Sequence, residues 1–152
     1  MPPTGATSDA AGDKLGGVTV ESEGIAHIAA ECVSLARSEF GAELDWTVES
    51  LALLDDLCAR LRAEASFVGD RFDLWWKLVG AYTGEVVVRS YDGRWVEHER
   101  APGAYAVEVA GIFGFPFSTA DRVLRGEPFK SLASFGRSVP VIATPNTDEP
   151  TE

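Results

Sequence analysis

The residues best placed to do chemistry in this chain are two carboxylates, Glu85 and Asp55, each embedded in an apolar stretch. On a helix at about 100° per residue, Glu85 shares a face with Leu74, Leu78 and Ala81. An unpaired carboxylate there is costly, so Glu85 needs a cation. Arg89, one turn later, and Arg94, just past the following turn, are the nearest. Asp55 falls at the margin of an apolar stripe, between Val48 and Leu51. Its neighbour Asp56 points about 100° away into solvent, so the pair does not form a two-carboxylate catalytic site. Semi-buried acids beside arginines can be tuned for proton transfer, although a structural ion pair is their commoner use. Tyr82, Trp95, Trp75, Trp76 and the phenylalanines of IFGFPF have the chemistry either to line a ligand cleft or to pack a core. The candidate polar cluster is therefore Glu85, Arg89, Arg94, Asp55, Trp95 and Tyr82.

Other chemistries find less support. Two Cys and two His are the minimum for a structural zinc site, but positions 27, 32, 58 and 98 include no Cys-x-x-Cys. His27 and Cys32 would stand about 140° apart on a helix. Neither a metal nor a cofactor is expected. No Ser sits in G-x-S-x-G, and a Cys-His nucleophilic pair would need a proximity that spacing alone does not supply. Gly80 and Gly84 lie within an apolar helical stretch, whereas a phosphate-binding loop needs its glycines between a strand and a helix.

These residues depend on one central element. From Asp70 to about Ser90 apolar residues cover most of a helix circumference, leaving Asp73, Lys77, Gly80 and Gly84 in a narrow stripe, which predicts a helix surrounded by others. Each glycine costs about 1 kcal/mol relative to Ala, so the close approach of a neighbouring backbone is expected there. Gly93 would be the left-handed C-cap. A rival reading takes Glu85 to Tyr91 as a strand paired with Arg94 to Glu99, because Asp92-Gly93 is a hairpin signal and Val86 to Val88 favour strands.

Before this element the periodicity predicts an amphipathic helix over Glu23 to Phe40, with Ser22 as N-cap and Gly41 after its end. A second helix runs from Val48 to about Ala65, with Thr47 as N-cap. After Gly93 the period shifts to two: Trp95 and Val96, then Tyr105 to Val109, read as antiparallel strands joined through Arg100 to Gly103. Pro116 makes Ile112 to Phe117 an edge strand or a turn. Ser118 and Asp121 resemble a capping box that opens a short helix ending at Gly126. One more turn is expected at Ser131 to Phe135 and an edge strand at Val139 to Ala143.

The expected architecture is α+β: N-terminal helices packed on a small antiparallel sheet, with a short C-terminal helix. At 152 residues and 45% hydrophobic, one domain with a sizeable core is the default. It should span residues 22–143, between polar tails at 1–21 and 144–152. The N-terminus lacks a basic region followed by an apolar run, and no segment reaches the 18 or so residues that span a bilayer, so a cytoplasmic protein is expected. Cys32 and Cys58 would then be reduced and buried. With 24 acidic against 13 basic residues the net charge is −11, which argues against nucleic acid or an anionic membrane as partner and favours a basic protein.

The succession LDWTVESLALLDDL, GAYTGEVVVRSYDGRW and GFPFSTADRVLRGEPFKSLASF resembles a family of small bacterial domains of unknown function. In these an acidic helix is followed by a Gly-Glu-Val helix end, a Gly-x-Trp strand start and a Pro-Phe helix start. The match covers about residues 44–136. It implies an α+β domain with Gly84, Glu85, Gly93 and Trp95 as motif positions, and it supplies no catalytic residue. The expected function is a non-enzymatic protein-interaction module, immunity-like or adaptor, with an acidic surface. The alternative is a small-molecule binding or catalytic domain using Glu85 and the surrounding aromatics.

Overall fold

Ile25, Ala29, Cys32 and Ala36 recur every three or four residues, and all four are buried along one face of helix α1 (Val20–Phe40). The computed structural model describes residues 20–99 and 105–143. The expected tails and the expected turn at Arg100 to Gly103 therefore fall outside the described residues, except that residues 20 and 21 belong to α1. Ser22 lies inside α1 and is not its N-cap. Gly41 does terminate the helix: at φ 68° it lets its own N–H reach the Arg37 carbonyl, and that of Ala42 the Ala36 carbonyl. The Gly41 bond is the 5→1 bond of the αL cap, and together the two satisfy carbonyls the helix end would otherwise leave open.

Helix α2 (Ser50–Arg62) starts two residues later than expected, because residues 47–52 form a tight turn of i to i−3 bonds. Thr47 caps the turn that leads into α2, its Oγ1 accepting the Ser50 N–H at 3.1 Å, while Glu49 directly before the helix makes no side-chain cap. Leu51, Leu54, Leu57, Cys58 and Leu61 form its buried stripe.

Helix α3 (Asp70–Tyr91) is the centre of the molecule, in contact with α1, the sheet and both later helices. The hairpin reading is overturned, since residues 85–91 are helical throughout. Val86 and Val87 are fully buried, and packing of that kind overrides the β preference of branched side chains. The left-handed residue is Asp92 (φ 57°) and not Gly93, Asp being one of the few types that tolerate this conformation. Gly93 serves a different need: a Cβ there would lie 2.8 Å from the Glu108 carbonyl oxygen of the neighbouring strand.

Strands β1 (Arg94–Glu97), β2 (Tyr105–Val109) and β3 (Ile112–Gly114) form an antiparallel sheet in that order, with Trp95 opposite Val107 and Val109 opposite Ile112. β2 and β3 are joined by Ala110 and Gly111, at φ 52° and 84°. A two-residue hairpin turn of type I′ needs both residues left-handed. β3 is an edge strand, but it covers only Ile112–Gly114 of the expected Ile112 to Phe117, and Pro116 lies outside it.

Helix α4 (Pro116–Leu124) begins with its proline and not at Ser118. Proline suits the first helical position because its missing N–H would find no partner there. Asp121 pairs with Arg125 at 2.9 Å and makes no capping box. The expected turn and edge strand near the C-terminus are instead one helix, α5 (Leu132–Ala143). Leu132, Ala133, Gly136 and Val139 are buried at helical spacing, and packing against α2 and α3 overrides the strand preference of the Val-Pro-Val-Ile run. The fold is α+β.

Candidate functional site

Glu85 sits in the buried middle of α3, 8% exposed, and both of its oxygens are engaged. Oε1 accepts the indole N–H of Trp95 at 3.0 Å, and Oε2 accepts the Nε–H of Arg89 at 3.2 Å. Arg94, the second expected partner, is not one. It pairs with Glu108 at 2.8 Å across β1 and β2, because its strand position directs it over the sheet.

Arg89 carries the cluster further. Its guanidinium lies 3.9 Å from the centre of the Trp46 ring, which in turn rests on Tyr82 at 5.0 Å. The Tyr82 hydroxyl accepts the Trp46 backbone N–H at 2.9 Å and lies 2.6 Å from Ser50 Oγ. Trp46 is held at φ 70°, a left-handed backbone that a bulky residue adopts only when its surroundings impose it. Burial pushes the Tyr82 phenol above its ordinary value, outweighing the hydrogen bonds from Ser50 and Trp46.

Asp55 stands apart from this group. Its two carboxylate oxygens accept the backbone N–H groups of Leu132 at 2.7 Å and Ala133 at 3.1 Å, so α2 supplies the N-terminal cap of α5. Burial holds the Asp55 carboxyl above the usual carboxylate range, more strongly than those two amides lower it.

The two helix glycines receive aromatic rings and not a neighbouring backbone. A Cβ on Gly80 would overlap the Phe117 ring, and one on Gly84 the Trp95 ring. Trp95 and Phe117 are 5.9 Å apart, and Phe117 also carries Trp76, whose indole N–H donates to the Phe117 carbonyl at 2.9 Å. The segments Gly84-Glu85, Gly93-Arg94-Trp95 and Pro116-Phe117 thus converge where α3, β1 and α4 meet. Their shared task is packing the three elements with the Glu85 carboxylate satisfied.

Of the six candidates, the structure unites Glu85, Arg89, Trp95 and, through Trp46, Tyr82. Arg94 and Asp55 lie elsewhere. Phe117, one of the phenylalanines of IFGFPF, joins the same region, whereas Trp46 and Ser50 escaped sequence reasoning, since no short-range pattern links positions 46 and 50 to residue 82. Among the described residues no three His, Cys, Asp or Glu side chains converge as metal ligands would. His98 is flanked by the rings of Phe113 and Phe115 at 5.0 and 5.1 Å.

Among the described residues two clefts stand out at the surface, and Glu85 lines neither of these. One of about 320 Å³ lies between the β2–β3 hairpin and helices α4 and α5. The other, of about 630 Å³, lies beside the start of α3, bordered by Arg62, Phe67, Val68, Phe72, Asp73 and Arg125. No helix among the described residues is long and apolar enough to cross a membrane. Compared with known proteins, the chain matches no family model, no curated protein and no solved structure.

Proposed function

We propose that this chain is a non-enzymatic interaction module of a bacterial cytoplasm, immunity-like or adaptor, whose acidic surface receives a basic protein. The family resemblance carried by Gly84-Glu85, Gly93, Trp95 and Pro116-Phe117 belongs to the same proposal. The observation that carries it is the exposed start of α3. There Val68 and Leu74 are 68% and 42% exposed, beside the exposed Asp70 and Asp73. Neither carboxylate has an ion-pair partner among the described residues, whereas six of the described arginines are paired with acids. Exposed apolar side chains edged by unpaired acid suit a partner that brings a basic rim to an apolar contact. The inward engagement of Glu85, Asp55 and Tyr82 supports a binding role over a catalytic one.

The test starts with affinity capture and mass spectrometry, followed by binding measurements with the purified partner. Binding should weaken as salt rises, and a Val68→Ser, Asp70→Asn, Asp73→Asn variant should lose at least tenfold in affinity with its melting temperature retained. A partner bound equally well by that variant and at every salt concentration would overturn the reading. The alternative, a small-molecule or catalytic domain built on Glu85 and its aromatics, requires ligand access to a carboxylate that borders neither cleft.

A further inference from the structure

The cleft between the β2–β3 hairpin, α4 and α5 differs in charge from the rest of the molecule. In a chain of net charge −11, its lining includes Arg122 and Lys130 and no acidic residue. Its volume of about 320 Å³ falls at the lower end of the 300–1,000 Å³ typical of small-molecule sites. That is room for roughly ten groups the size of a water or methylene at ~30 Å³ each.

Its walls are apolar, formed by Val107, Val109, Phe115, Phe135 and Val139. Polar groups come from α4, from Lys130 after it and from Ser138 on α5. Ser118 and Thr119, in the first turn of α4, line the cleft, and neither hydroxyl has a protein partner among the described residues. The start of α4 receives no side-chain cap; Pro116 has no N–H and the Thr119 amide bonds the Phe115 carbonyl, which leaves the Phe117 and Ser118 amides to an acceptor. Arg122 follows one turn after Ser118 on the same helix, held only loosely by Glu127 at 3.8 Å, and Lys130 makes no ion pair among the described residues.

We propose that this cleft binds a small amphipathic anion, an apolar body of about ten carbons carrying a carboxylate or phosphate-ester head. The body lies against the valines and phenylalanines. The head meets Arg122, Lys130 and the Ser118 and Thr119 hydroxyls, where charge-assisted hydrogen bonds are the strong ones. The site shares no residue with the acidic start of α3, so it stands or falls independently of the protein partner.

Titration calorimetry on the full chain with decanoate, decyl phosphate and decanol tests it. Both anions should bind saturably at one site, and the tighter of the two identifies the head group. Decanol should bind at least tenfold more weakly than the better anion. An Arg122→Gln, Lys130→Gln variant, both positions exposed and harmless to folding, should lose at least tenfold for that anion and leave decanol unchanged. Amide shifts on binding should centre on Ser118, Thr119 and Val139. Equal affinity for decanol, an anion affinity untouched by the double variant, shifts centred elsewhere, or no saturable binding at millimolar ligand would each overturn the proposal.

Discussion

Glu85 illustrates how a carboxylate becomes tolerable inside a core. A buried ion pair that loses one member typically costs about 3–5 kcal/mol, but the Arg89 side chain is 45% exposed and can be rehydrated. Glu85→Gln keeps an acceptor for the Trp95 indole while turning a neutral amide toward Arg89. We therefore expect it to destabilise by about 1–3 kcal/mol in urea melts. Asp56 is exposed and has no ion-pair partner among the described residues, so Asp56→Asn should stay within about 0.5 kcal/mol of wild type. Equal melts for the two variants would mean that the Glu85 network contributes nothing beyond shape.

At the scale of elements, α3 holds its neighbours by what it lacks. Gly84→Ala would gain about 1 kcal/mol in helix propensity, yet the added methyl would overlap the Trp95 ring and approach Pro116. Overpacking of this kind costs typically 1–3 kcal/mol, occasionally more, so a net loss is expected. Gly24 in α1 is the matching control, because a Cβ there meets nothing within 4 Å, and Gly24→Ala should be neutral or stabilising. If both substitutions stabilised, Trp95 would not be seated on Gly84.

Helix α5 depends on another element for its start. Asp55→Ala would leave the Leu132 and Ala133 amides without their acceptor, at a cost of about 1–2 kcal/mol. Because burial raises the Asp55 carboxyl in the folded state, the folded protein holds this proton more tightly than the unfolded chain does. Its contribution is then full below the ordinary carboxylate pKa and is lost as pH rises through the raised folded value. The stability of wild type relative to Asp55→Asn should accordingly decline from pH 3.5 upward. A difference that grows with pH would show that the amide bonds outweigh burial.

At the scale of the molecule, the buried residues of the described elements form a continuous core, to which α1 and α2 contribute Cys32 and Cys58, each with 0% exposure. Burial pushes both thiols well above their ordinary range, and the reactive species is the thiolate. Native protein should therefore react with a disulfide reagent only as fast as the structure opens, and moderate urea should accelerate the reaction. Labelling of either cysteine at the rate of a free thiol would place α1 or α2 outside the cooperative core.

How much of this was legible in the sequence follows from the range of each interaction. Periodic burial and local stop signals act within a few residues. They sufficed for α1 with Gly41, for the Thr47 cap on the turn before α2, for the central helix up to Gly84 and for the α+β class, while residues 85–91 stayed open between helix and strand. The Glu85–Arg89 pair was equally legible, being a single helical turn. Interactions that span the chain were not. Nothing near position 55 says that its carboxylate caps residues 132 and 133, and Arg94 chose Glu108 only once β1 and β2 were in register. Val139 to Ala143 read as a strand because branching is a local preference, whereas the packing of α5 against α2 and α3 is a tertiary fact that outweighs it. The cleft with Arg122 and Lys130 likewise exists only where a hairpin and two helices enclose it. Composition and periodicity determined which elements form and which faces they bury, because both are set by neighbours along the chain. Which polar groups meet, and where a cleft opens, tertiary packing alone decided, because it sets distances between residues that sequence order leaves free.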